Sequence, residues 1–220
     1  MSRALVLDFD GTIVDTETTL FQAYAEVFEG HGHELDRALW ASIIGTDSDW
    51  DPLADLEARL GAPLDQAVHD RRRSRRDELI VAAGIRPGIL EWLDEADALD
   101  IPVGIASSSP IDWVERHLDR LGLLERIACF ACCNEVIPAK PDPTSYRLAC
   151  EALGADPRRS IAVEDSPHGV AAATAAGLFT VAVPHDLTSS LDLSAADLVV
   201  GSLTELSLAA LIAGLEVDPH

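Results

Sequence analysis

The sequence predicts an α/β fold: a doubly wound parallel sheet with a small α-helical domain inserted after its first strand. Three observations predict it. A short apolar run, Ala4-Leu5-Val6-Leu7, runs into Asp8-Phe9-Asp10-Gly11-Thr12, which reads as a buried strand ending in a sharp glycine turn. From residue 85 onward, apolar runs alternate with segments of helical spacing, and strands joined by helices pair in parallel. Between residues 16 and 80 no convincing strand is visible, so a helical block interrupts the alternation. The expected division is a core of residues 1–15 and 81–220 and a helical domain of residues 16–80.

In the inserted block, Leu20, Ala23, Tyr24, Val27 and Phe28 form one apolar helical face, and Arg59-Leu60-Gly61 reads as the end of another helix. Pro87-Gly88 opens a helix to about Ala98, with Ile89, Leu90, Leu93 and Ala96 on one side. Ile101 to Ala106 is a buried strand with its proline at the entry. Ser107-Ser108-Ser109-Pro110 leads into a helix in which Trp113, Val114, His117, Leu118 and Leu121 share the spacing. Residues 127–133 form the next strand, and Pro143 opens a helix carrying Tyr146, Leu148, Ala149 and Leu153. Ser160 to Val163 is a strand, and His168 to Ala176 is an alanine-rich helix stopped by Gly177. Phe179–Val183 and 197–200 supply further strands, and Val217 to His220 reads as a frayed end.

The formal charge of −22 repels nucleic acid and anionic membranes. No apolar run approaches a membrane span, so a cytoplasmic, soluble protein is expected, as a monomer or weak homodimer. The chain contains a single lysine, Lys140, within Ala139-Lys140-Pro141-Asp142-Pro143. Cys129, Cys132, Cys133 and Cys150 lack a second ligand pair at metal-binding spacing and read as free thiols, mostly buried.

Polar residues collect at four strand ends, where open parallel sheets hold ligands. Asp8 and Asp10 follow the first strand, Ser107 and Ser108 the strand at 101–106, Lys140 the strand at 127–133, and Glu164-Asp165-Ser166 the strand at 160–163. Two carboxylates at one strand end repel each other and need a compensating cation, most simply Mg²⁺. Asp8, Glu164 and Asp165 offer hard oxygen ligands, and the carbonyl of Asp10 offers another. Ser107, the backbone N–H of Ser108 and Lys140 are suited to phosphate oxygens. The set makes a coherent phosphoryl-transfer site.

These motifs resemble those of the haloacid dehalogenase superfamily, in its helical-capped subfamily of small phosphatases and β-phosphoglucomutase-like enzymes. Asp8-x-Asp10-Gly11-Thr12 matches the first motif, Ser107 the second, Lys140-Pro141 the third and Glu164-Asp165-Ser166 the fourth. The resemblance implies that Asp8 attacks phosphorus to form an aspartyl phosphate and that Asp10 is the general acid and base. It also implies that residues 16–80 form a cap over the substrate.

Within such a family the reaction is set by the site. Asp10 argues against carbon–halogen cleavage, and the absence of lysine from residues 16–80 argues against a Schiff-base phosphonate reaction. A sugar phosphomutase is the nearest alternative. It would carry an arginine after the glycine matching Gly45, a histidine near Leu20 and an asparagine near Ile111, and all three are absent here. A phosphoacceptor receiver or a non-catalytic phosphate-binding protein is the alternative of another class. The expected activity is therefore Mg²⁺-dependent hydrolysis of a small phosphorylated metabolite, of sugar-phosphate or nucleotide type. Asp47, Ser48 and Arg75, the last within the run Arg71 to Arg76, are further candidates for substrate contact, though charge runs are usually solvated. Trp40, Trp50 and Trp92 read as packing residues.

Overall fold

The computed structural model describes residues 2–44 and 50–217. After β1 (Leu5–Leu7) come four helices, α1 (Thr16–Gly30), α2 (Arg37–Ile43), α3 (Pro52–Leu60) and α4 (Gln66–Ala83). The chain then alternates as far as β5, with a loop leading on to β6: α5 (Ile89–Ala98), β2 (Val103–Ser107), α6 (Ile111–Arg120), β3 (Cys129–Cys132), α7 (Thr144–Ala152), β4 (Ile161–Glu164), α8 (Pro167–Ala176), β5 (Phe179–Ala182), β6 (Leu198–Val199) and α9 (Leu208–Val217). The last helix was not foreseen. The six strands form one parallel sheet in the order β3-β2-β1-β4-β5-β6, so the order reverses at β1 and leaves a ligand crevice at the strand ends there.

The pleat of β1 sorts its side chains between two different layers. Leu5, Leu7 and Phe9 face large apolar groups, including Trp92 and Leu93 of α5, Val114 and Leu118 of α6, and Leu208 and Ile212 of α9. Ala4 and Val6 face the other way, where Ala106, Ala131 and Ala162 meet Tyr146 and Ala149 of α7 and Ala172 and Ala173 of α8. Small side chains on that face let α7 and α8 approach the sheet closely.

The four inserted helices have their own apolar cluster of Phe28, Leu35, Trp40, Ile44 and Leu56, joined by Leu187 from the loop after β5. An aspartate precedes each of them, and three of the four bond to the first turn. Asp15 accepts the Thr18 N–H at 2.9 Å, and Asp36 and Asp51 cap α2 and α3 in the same way, each satisfying an orphan donor. No described helix is long and apolar enough to cross a membrane.

Candidate active site

Register brings the chemistry together. Leu7 lies opposite Ile105 of β2 and Val163 of β4, so the residues following these strands emerge at one level. The Asp8 N–H donates to the Val163 carbonyl at 3.0 Å, which fixes the carboxylate at the end of the sheet. Lys140 Nζ donates to Asp8 Oδ1 and to Glu164 Oε1, both at 2.5 Å. The Tyr146 hydroxyl of α7 donates to Glu164 Oε1 at 2.6 Å. Asp165 accepts from His185 Nε2 at 2.9 Å and, at a longer 3.5 Å, from the Thr12 hydroxyl. All of these side chains are buried.

Two glycines make this density feasible. A Cβ on Gly11 would come within 2.3 Å of Asp165 Oδ2, and Gly11 has a φ of +83°. A Cβ on Gly169, in the first turn of α8, would meet Glu164 Oε2 at 1.9 Å. Ser166 caps that turn by accepting the Gly169 N–H at 3.2 Å.

Burial pushes the Asp8 and Glu164 carboxyl groups up, against the opposing pull of Lys140. Burial alone would lower the Lys140 ammonium, but Asp8 and Glu164 on either side outweigh it and raise it. One oxygen from each of Asp8, Glu164 and Asp165 lies within 4.8 Å of the other two. Fully ionised, three carboxylates against one ammonium would carry an excess of two negative charges in a buried site, which is why burial pushes two of them up when no cation is bound. That donor set of hard oxygens, with that charge, fits a divalent cation such as Mg²⁺.

Asp8, Asp10, Ser107, Ser108, Lys140 and Asp165 line one cavity of about 140 Å³. Every motif residue expected at the site is therefore there, with Glu164 bonded beneath Lys140. Ser107 Oγ accepts the Ser109 N–H at 3.0 Å, leaving its own proton to donate into the cavity. Ser108 Oγ accepts the Lys140 N–H at 3.1 Å, which ties the serine loop to the lysine loop.

Asp10 sits on the cavity wall and accepts three hydrogen bonds, from Thr16 Oγ1 at 2.7 Å, Ser109 Oγ at 2.6 Å and Trp113 Nε1 at 3.0 Å. A larger space of about 390 Å³ opens beside it, lined by Glu17, Leu20, Arg76, Trp113 and Arg116 among others. The Arg76 and Arg116 guanidinium carbons lie 5.1 and 5.3 Å from the Trp113 ring centre, within cation–π range. Glu17 is half-buried and lines both this space and the smaller cavity. Burial, reinforced by Asp10, Asp165 and Asp15, pushes its carboxyl from 4.5 to about 8.

The remaining substrate expectations divide. Arg75 is held by Glu26 at 3.0 Å and by Glu78 at 3.4 Å, in a separate groove with His31. Its neighbour Arg76 is the arginine of this run that lines the space beside Asp10. Asp47 and Ser48, like Gly45, lie outside the described residues. Glu17, Trp113, Tyr146 and His185 were not singled out from the sequence as site residues. Trp113 and Tyr146 carried only the signal of helical spacing, and Glu17 and His185 carried none.

Comparisons with known proteins identify the family. Residues 2–177 match the family model described as haloacid dehalogenase-like hydrolase. The Bacillus subtilis (strain 168) protein named "Putative phosphatase YhcW" is 36% identical over 213 residues, covering 96% of this chain and 97% of its own. Validoxylamine A 7'-phosphate phosphatase of Streptomyces hygroscopicus subsp. limoneus is 31% identical, covering 94% and 96%. A crystal structure of a CbbY variant from Rhodobacter sphaeroides, in complex with xylulose-(1,5)bisphosphate, superposes with a TM-score of 0.76 at 28% identity, covering 96% of this chain and 99% of that one. With its four motifs gathered at one sheet edge and most of its length matched, this chain belongs to the haloacid dehalogenase-like hydrolase family.

Proposed function

We propose that the protein is a Mg²⁺-dependent phosphomonoester hydrolase acting on a small phosphorylated metabolite through an aspartyl phosphate at Asp8. The observation that carries this reading is the Asp8–Lys140–Glu164 bridge inside a cluster whose charge is short by two. Such a cluster has no benefit for folding, because removing paired buried ions in favour of apolar groups is often neutral or stabilising. It does suit a site that must bring a carboxylate nucleophile up to an anionic phosphate.

Asp8, Glu164 and Asp165, with the carbonyl of Asp10, would hold the metal, which supplies charge neutralisation to the phosphoryl group. Ser107, the Ser108 N–H and Lys140 bind the phosphate oxygens. An Asp8 oxygen attacks phosphorus as the ester P–O bond breaks, and Asp10 gives its proton to the departing oxygen. Asp10 then takes a proton from water, which attacks the phosphorus of the acyl phosphate and returns Asp8 and free phosphate. The leaving group lies beside Asp10, against Glu17, Trp113, Arg76 and Arg116. The helical block of residues 16–80 acts as the cap, and Thr16 at the start of α1 bonds directly to Asp10.

A panel of phosphate esters, including p-nitrophenyl phosphate, sugar monophosphates and nucleoside monophosphates, tests the proposal with Mg²⁺ and with EDTA. Metal-dependent release of phosphate is expected. Absence of turnover across the panel would favour a binding protein, and a requirement for a bisphosphate activator would favour a mutase.

A further inference from the structure

Asp165 differs from its neighbours in the cluster, because the Lys140 ammonium donates to Asp8 and Glu164. Asp165 is held instead by His185, from the loop after β5, at 2.9 Å and by the Thr12 hydroxyl at a longer 3.5 Å. The imidazole is buried, with 7% of the residue exposed, and its two nitrogens have distinct partners. Nδ1 lies 3.3 Å from the Leu187 nitrogen and 3.7 Å from Asp15 Oδ1. Nε2 lies 2.9 Å from Asp165 Oδ2, and because a carboxylate oxygen accepts, Nε2–H is the donor of that bond. The Thr18 hydroxyl, 3.4 Å from Nδ1, is compatible with the same tautomer.

The loop itself is tied down. The His185 N–H donates to Thr188 Oγ1 at 3.0 Å, and Thr188 is fully buried. Arg86 donates to the carbonyl of Gly11 and to those of Val183 and Pro184, the last two at 2.9 and 3.0 Å. One guanidinium thus clamps the turn after β1 to the residues just before His185. Leu187 anchors the other side of the loop in the apolar cluster of the inserted helices.

We propose that His185 is a positioning residue for the metal site: its Nε2–H holds Asp165 in the orientation in which that carboxylate binds the divalent cation. The inference rests on the metal reading given above. Outer partners that orient a ligating carboxylate typically change metal affinity by about 10- to 100-fold when removed. A ring that meets the Leu187 N–H and the Thr18 hydroxyl on one side and one ligand oxygen on the other is built for that task. The remaining ligands keep Lys140 and Tyr146, so the site should weaken rather than vanish.

Mn²⁺ binding to the full chain, followed by electron paramagnetic resonance without substrate, tests this. His185→Phe should weaken Mn²⁺ binding at least about tenfold, while His185→Gln, which retains a donor, should recover part of the loss. An unchanged affinity in a folded His185→Phe protein would overturn the inference. Should that variant not fold, ¹⁵N chemical shifts of the wild-type imidazole decide instead. A proton on Nε2 supports the assignment, and an Nε2 without a proton overturns it. Wild-type protein that binds no Mn²⁺ would overturn the metal reading itself, and the inference with it.

Discussion

Asp8 and Lys140 act through the same bond, and removing either has a different consequence. Asp8→Asn keeps the size of the side chain and a partner for Lys140 but removes the nucleophile. Turnover should fall by at least about a thousandfold with the circular dichroism spectrum unchanged, and near-normal rates would refute the nucleophile assignment. Lys140→Ala leaves Asp8 and Glu164 buried without their cation. In EDTA it should lose about 3–5 kcal/mol of unfolding free energy, as measured by denaturant titration. Added Mg²⁺ should return part of that loss. Glu17 makes a pH-dependent contribution of opposite character. Its carboxyl titrates at about 8 in the folded protein against an ordinary 4.5, so the stability it confers is complete below about 4.5 and is lost as pH rises through 8. In EDTA, wild type should therefore lose stability relative to Glu17→Gln between pH 5 and 8, and parallel stability curves for the two proteins would contradict it.

Individual elements are arranged for proximity as much as for packing. The first turn of α8 passes so close to Glu164 that position 169 has no room for a methyl group. Gly169→Ala has no helix-propensity cost, because alanine is the better helix former. It should nevertheless destabilise by about 1–3 kcal/mol through overpacking and weaken metal binding by displacing Glu164. A stabilised variant would show that the close approach is not needed. The start of α6 plays a comparable part at the other wall of the site. Trp113 donates to Asp10 and lies against the Arg76 and Arg116 guanidinium groups. Arg116→Ala leaves that hydrogen bond in place, so it should raise KM for esters with a charged leaving group several-fold while sparing p-nitrophenyl phosphate. Equal effects on both would place Arg116 outside the leaving-group contact.

Across the whole molecule, the chain is strongly acidic, yet its site must accept a phosphate. The local solution is a single lysine, the serine loop and, in the proposed function, a bound cation. Much of this was legible in the sequence, because the motif residues sit directly at the ends of short apolar runs and the parallel sheet places such ends side by side. Asp8, Ser107, Lys140 and Asp165 needed only the strand order to be brought together. Trp113 and Tyr146 were hidden because their helical spacing signals packing, and the hydrogen bonds from the indole and phenol depend on how closely α6 and α7 approach the sheet. His185 and Glu17 were hidden for a different reason. Each gains its role from tertiary packing, which sets Asp165 beside the histidine and encloses the glutamate near Asp10 and Asp165. Arg75 and Arg76 show the limit of reading a charge run. Adjacent positions on a helix diverge by about 100°, and only tertiary packing selects the one that meets the cavity.

Rapid-quench trapping of the phosphorylated intermediate tests the central claim most directly. Wild-type protein mixed with a turned-over ester and Mg²⁺, quenched in acid and digested, should yield a peptide phosphorylated on Asp8, absent when EDTA replaces Mg²⁺. Phosphate on another residue, or substrate hydrolysed at full rate while Asp8 is never labelled, would contradict the account.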